Sequence, residues 1–193
     1  MKFDTKNRIA LFGTSADPPT KGHKKILEEL SNIYAYVITY ASDNPKKIHK
    51  ENIFFRKLLL KTLIEEINDP KIIFNQKISS PWAIESIEEC KKIYPLNKID
   101  FVIGSDLVNE FFAWKNFHKI INEVKLLIIK REGYPIEPNI FKMLANKKVI
   151  FEIYSLNIPD ISSSMVRLNN NYSYLPKSLI DIVKTNNLYK SIS

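Results

Sequence analysis

Two rhythms of apolar residues alternate along this chain. Short β-branched runs recur at residues 9–12, 33–40, 71–74, 99–103, 124–129 and 149–154. Such runs, about four to eight residues long and bounded by turn signals, read as buried strands. Between them the apolar positions fall three or four apart. Ile26, Leu27 and Leu30 come first, then Phe55, Leu58, Leu59, Leu63 and Ile67 within 52–67, then Ile84, Ile87 and Cys90 within 82–94. That spacing puts them on one face of a helix. Strands alternating with helices predict βαβ units, which assemble into a parallel sheet covered on both faces. The predicted fold is α/β, a doubly wound, Rossmann-like parallel sheet. No long linker or repeat interrupts the pattern, so residues 1–193 are expected to form a single domain that includes the C-terminal helices at 163–189.

Open α/β sheets bind ligands beyond the carboxyl ends of their strands, and the motifs that carry chemistry here fall at such ends. The first strand leads into Gly13-Thr14-Ser15-Ala16-Asp17-Pro18-Pro19-Thr20-Lys21-Gly22-His23. Gly22 has no Cβ and lets a phosphate chain approach the backbone. A helix starting at Thr20 would place Thr20 and His23 on one face at the positive end of its dipole, a setting suited to polyphosphate. The last strand leads into Ile161-Ser162-Ser163-Ser164-Met165-Val166-Arg167. Ser162 or Ser163 can cap a new helix there, with Arg167 one turn in on the face of Ser163 and Ser164, a second phosphate grip.

A third segment ends a strand at Gly104 and opens a helix at Asp106, whose carboxylate can cap that helix or accept from ribose hydroxyls. Trp114, further along, offers a flat face to a heteroaromatic ring. In a fourth, Lys46, Lys47 and Lys50 flank the turn-forming Asn44-Pro45, and the loop can serve as a phosphate-facing flap. Each motif also has a plainer reading. His23 can be a capping or core histidine, Ser162–Arg167 a serine cap with an exposed arginine, Trp114 a core or surface tryptophan, and the basic loop a solvated one.

The four glycines, Gly13, Gly22, Gly104 and Gly133, form neither GxGxxG nor a Walker A loop, so a nucleotide bound here is held by other means. The formal net charge of +8 suits a nucleic-acid binder or an enzyme of phosphorylated substrates. The lysines are scattered, however, and no basic stripe interleaved with aromatics appears. Cys90 is the single cysteine, which excludes an internal disulfide and favours a reducing, cytoplasmic setting; it is expected as a thiol on a helix flank. Residues 1–6 are followed by no long apolar stretch, so neither a signal peptide nor a membrane partner is expected. Residues 131–139, with Gly133, Pro135 and Pro138, read as an exposed loop.

Taken in order, these segments resemble the nucleotidyltransferase superfamily marked by (His/Thr)-x-Gly-His and Ile-Ser-Ser-(Thr/Ser)-x-x-Arg. Within it the chain is similar to nicotinate mononucleotide adenylyltransferases, in the variant seen in cyanobacteria. The matching segments, 13–23, 42–47, 81–87, 103–114, 161–167 and 179–189, span nearly the whole chain. The resemblance implies adenylyl transfer from ATP to nicotinate mononucleotide, with Mg²⁺ carried in by ATP and held mostly by phosphates and water; no metal-ligating residue is expected. It implies that His23, Thr20 and Arg167 act on the reacting phosphates, and that Gly13, Thr14, Ser15 and Gly22 belong to the ATP site. Ile161, Ser162 and Ser163 would hold the terminal phosphates with Arg167, and Gly104 and Asp106 would meet the adenosine ribose. On the mononucleotide side, Trp114 would stack on the nicotinate ring, the backbone at Ala83 would meet its carboxylate, Lys47 would face the phosphate, and Ala16 would lie nearby.

The attacking phosphate oxygen is already ionised at neutral pH, so positioning and charge neutralisation suffice without a general base. The chain departs from the family pattern at Thr14, usually Gly, at Ala16, usually aromatic, and at Pro81-Trp82-Ala83, where many members have Ser-Tyr-Thr. Trp82 reads either as a second stacking face or as a buried helix start. Rival acceptors are nicotinamide mononucleotide and 4′-phosphopantetheine, and a rival class is a non-catalytic nucleic-acid binder on the same fold. Nucleic acid is not expected as a partner, and homo-oligomerisation is left open.

Overall fold

The computed structural model describes residues 7–156, 161–169 and 171–190. Segment 1–6, with the signal-peptide expectation placed on it, and residues 158–160 before the serine motif lie outside the described residues. Among the described residues six strands are formed: β1 (Arg8–Thr14), β2 (Tyr36–Ala41), β3 (Ile72–Phe74), β4 (Lys98–Gly104), β5 (Lys125–Ile129) and β6 (Phe151–Tyr154). All neighbours pair in parallel, in the order β3-β2-β1-β4-β5-β6. The chain winds outward one way from β1 and the other way from β4, so the switch point lies between these two strands, at their carboxyl ends.

Because both faces are covered, β1 is apolar on both sides. Ala10 and Phe12 join the core under one helical layer, and Ile9 and Leu11 join the core on the other face. Helices α1 (Lys21–Ile33), α2 (Ile53–Ile67) and α8 (Lys177–Thr185) supply the first layer, through Leu27, Leu59, Leu63, Leu179 and Val183. Helices α3 (Ala83–Ile93), α5 (Phe117–Glu123) and α6 (Pro138–Asn146) supply the second, through Ile84, Ile87, Ile120 and Leu144. The short helix α4 (Val108–Phe111) and α7 (Ser163–Asn169) lie next to the carboxyl-end loops. Among the described residues no helix is long and apolar enough to cross a membrane.

Four local expectations are corrected. The run 33–40 is not one strand: Ile33 is the last residue of α1, continuing the Ile26, Leu27, Leu30 stripe, and Tyr34 caps the helix. Tyr34 donates its hydroxyl to Asp100 at 2.7 Å, and β2 starts at Tyr36. On α2 the buried stripe is Leu59, Leu60, Leu63 and Ile64, rotated from the expected one, and Leu58 is 37% exposed. Residues 149 and 150 precede β6, because Val149 N–H closes the end of α6 on Leu144 O at 3.0 Å. Cys90 is not on a flank but fully buried, and burial pushes its thiol up to about 12, leaving it unreactive.

Candidate active site

A cavity of about 670 Å³ opens at the switch point, a size suited to nucleotide-scale ligands. Gly13, Thr14, Ser15, His23, Lys47, Ala83, Gly104, Asp106, Trp114, Ser163 and Arg167 of the expected set line it. Thr20, Gly22, Ala16, Ile161 and Ser162 do not. Close approach favours glycine at two of these positions. A Cβ at Gly13 would lie 2.6 Å from the Tyr40 ring, and one at Gly104 would crowd the Asp106 carboxylate, which would have to shift.

Thr20 is the N-cap of α1, and His23 stands at the third helical position, where a Glu or Gln usually completes a capping box. Thr20 N–H donates to His23 Nδ1 at 3.1 Å, and the Thr20 hydroxyl lies 2.9 Å from the same nitrogen. A backbone amide can only donate, so Nδ1 carries no proton and the neutral ring bears its hydrogen on Nε2. Burial, with Arg131 and Lys47 nearby, lowers the His23 pKa from 6.5 to about 4. At neutral pH the ring is therefore an uncharged N–H donor. Thr20 is fully buried against this ring, so its place is behind His23 rather than on the open pocket. Gly22 and Ala16 are buried too, Ala16 in the left-handed region at φ 49°.

The second grip closes onto the first. Ser162 Oγ accepts from Met165 N–H at 3.2 Å and caps α7. Ser163 turns away and donates to Pro18 O at 2.8 Å. Arg167 donates to Asp17 O at 2.6 Å and to Ser164 Oγ at 3.1 Å. The two carbonyls of the first loop are thus bound by residues about a hundred and fifty positions later.

Asp106 does not open a helix. Gly104 is followed by a tight 3₁₀ turn, Ser105–Leu107, before α4. Its carboxylate meets Arg131 Nη1 at 2.8 Å. Arg131 N–H in turn donates to Ser105 Oγ at 3.0 Å, and Ser105 Oγ donates to Tyr134 O at 2.8 Å. Segment 131–139 is exposed over most of its length, as expected, but Arg131 at its start is a partly buried pocket residue and Pro138 begins α6. The signal for Arg131 was its position just past β5, at the same carboxyl edge as the other motifs. Lys47 enters the cavity from the flap, where desolvation lowers its pKa although Asp106 opposes this.

Across the cavity Trp114 packs edge-on against Phe101 and Phe111, with ring centroids 6.2 Å and 5.3 Å away, and keeps part of its surface in the cavity. Trp82 precedes α3, with Lys115 Nζ 5.0 Å and Lys46 Nζ 5.9 Å from its ring centroid. Lys115 also pairs with Glu85 at 2.9 Å. Ala83 opens α3 at the cavity wall.

A doubly wound sheet whose switch-point cavity gathers His23, Lys47, Arg131 and Arg167 defines a nucleotide-handling α/β domain. The cytidylyltransferase-like family model matches residues 11–169, and the chain belongs to that family. More particular likenesses accompany it. A "Probable nicotinate-nucleotide adenylyltransferase" of Synechocystis sp. is 27% identical over 198 residues, covering 95% of this chain and 99% of its own. One of Nitratiruptor sp. is 30% identical over 175 residues, covering 88% and 92%. Among solved structures, the Plasmodium falciparum nicotinic acid mononucleotide adenylyltransferase complexed with NaAD superposes with a TM-score of 0.78 at 23% identity, covering 95% of this chain and 97% of that one. That likeness is one of fold.

Proposed function

We propose that this chain, acting as one domain over 1–193, transfers the adenylyl group of MgATP to nicotinate mononucleotide, forming nicotinate adenine dinucleotide and pyrophosphate for NAD biosynthesis in the cytoplasm. The observation that carries this reading is the convergence of the neutral His23 donor with Lys47, Arg131 and Arg167 on one switch-point cavity. The names of relatives that span most of the chain support it.

In this reading the acceptor phosphate is held by Lys47 and attacks the α-phosphate. His23 Nε2–H stabilises the charge that develops there, and Thr20 fixes the ring that carries it. Arg167 and Ser163, with the backbone from Ile161 through the Ser162 cap, meet the β- and γ-phosphates that leave as pyrophosphate. Gly13, Thr14 and Ser15 form the wall beside ATP, and Gly22 keeps the start of α1 close behind it. Gly104 and Asp106 meet the adenosine ribose, with Arg131 orienting the carboxylate. Mg²⁺ arrives with ATP, coordinated by phosphates and water. No side chain needs to remove a proton, since the nucleophile is already an anion.

Trp114 supplies the ring platform. The start of α3 at Ala83 and Lys46 beside Trp82 lend the far end of the cavity a positive character that favours a carboxylate over an amide, offset in part by Glu110 in the lining, while Lys115 is paired with Glu85. The test is pyrophosphate release from MgATP with nicotinate mononucleotide, nicotinamide mononucleotide or 4′-phosphopantetheine. The expected result is turnover with marked preference for the first. Turnover only with phosphopantetheine, or with none of the three, would discard the reading.

A further inference from the structure

Arg56 is a charged residue with 1% of its surface exposed, a degree of burial arginine reaches only when paired. It sits in the first turn of α2, behind the cavity rather than in its lining. Four donor contacts leave its guanidinium. Nε donates to Glu51 O at 3.1 Å, Nη1 to Ser15 O at 3.1 Å and to Ser42 O at 2.6 Å, and Nη2 to Asp43 Oδ1 at 2.5 Å. Ser15 belongs to the loop after β1. Ser42 and Asp43 belong to the loop after β2 that carries Lys47, and Glu51 closes that loop before α2. The same two loops meet again at Asp17, whose carboxylate accepts from the N–H groups of Lys50 and Glu51 at 2.7 and 3.1 Å. One fork thus ties the ATP-side loop to the flap, through carbonyls that have no regular strand partner at those positions. A planar guanidinium can serve several such acceptors at once, whereas an ammonium cannot do so in the same geometry.

We propose that Arg56 is a positioning residue that sets the distance between the 13–17 loop and Lys47, and so holds the acceptor phosphate in line with ATP. This rests on the adenylyl-transfer reading. Arg56→Ala removes the donor from three partly buried main-chain carbonyls and from the exposed Asp43 carboxylate and is expected to give little folded protein, so Arg56→Lys, which keeps the charge and loses the fork, is the working variant.

Two measurements test it. Amide hydrogen exchange of folded Arg56→Lys should be about tenfold faster or more at residues 13–17 and 42–51, and unchanged in β4 and β5. Kinetically, KM for nicotinate mononucleotide should rise about tenfold with kcat within about threefold. In a Lys47→Ala background the same Arg56→Lys change should add nothing to that KM, because the group it positions is gone. Unchanged loop exchange, or KM penalties that simply multiply in the double variant, would overturn the proposal. A wild-type protein that releases no pyrophosphate would instead sink the adenylyl-transfer reading, and loop exchange alone would then decide the role of Arg56.

Discussion

The N–H of Thr20 donates to Nδ1 of His23 at 3.1 Å, with the Thr20 hydroxyl 2.9 Å from the same nitrogen. This bond fixes both the tautomer and the aim of the ring, so its loss should appear in kcat more than in ATP binding. His23→Ala is expected to lower kcat by about 10²-fold or more, with ATP affinity changed by less than about threefold. Thr20→Val keeps the amide donor and the shape, and should lower kcat by only about fivefold. Steady-state kinetics with ATP and nicotinate mononucleotide checks both, and a His23→Ala protein with near-normal kcat would refute the role.

The low pKa of His23 also predicts a pH dependence of stability. Between about 4 and 6.5 the unfolded chain binds a proton at this residue that the folded chain does not, so stability rises with pH through that window and is fully present above it. At roughly 1.4 kcal/mol per unit, the swing is on the order of 3 kcal/mol. Urea denaturation of wild type and His23→Gln from pH 4 to 7 isolates it. The wild type should gain on the variant as pH rises, and parallel curves would remove the assigned burial.

Arg131 is one of the two cations that depress His23. Arg131→Ala should therefore move the His23 pKa upward, toward 6.5, as followed by the imidazole C–H resonance in NMR. The same change frees Asp106 and should raise KM for ATP. A His23 resonance titrating as in wild type would show that Arg131 does not act on the ring.

Trp114 keeps two edge-on aromatic neighbours and part of its surface in the cavity. Trp114→Ala is expected to raise KM for nicotinate mononucleotide about tenfold, the equivalent of about 1.4 kcal/mol, while KM for ATP stays within about twofold. Equal effects on both substrates would assign the residue to packing alone.

Gly13→Ala places a methyl group 2.6 Å from the Tyr40 ring. Tyr40 is buried in the second core, so it cannot swing clear, and overpacking should cost about 1–3 kcal/mol. The midpoint of chemical denaturation measures this directly.

The layered α/β plan was readable because β1 and β5 are apolar on both faces and the long helices carry apolar positions three or four apart. Strand edges were harder to read. Ile33 satisfies a helical stripe and a β-branched run equally well, and only the packing of α1 decides between them. The phosphate motifs were legible as residues at strand ends, but their mutual bonds were not. Ser163 looked like a cap and instead binds Pro18 O, a partner 145 positions away that no local spacing can reveal. Arg131 and Arg56 were missed for related reasons. Arg56 has no motif around it and Arg131 only its place just past β5, and each becomes informative once the fold shows which carboxylate or carbonyls surround its guanidinium.

The bonds from Ser163 and Arg167 to Pro18 and Asp17 join segments 145 and 150 positions apart. During synthesis the first loop leaves the ribosome long before its partners exist. A chain that stops before residue 163 carries His23 yet lacks the clasp that holds the first loop. Under the proposed function, fragments that end before this clasp should be unable to turn over ATP.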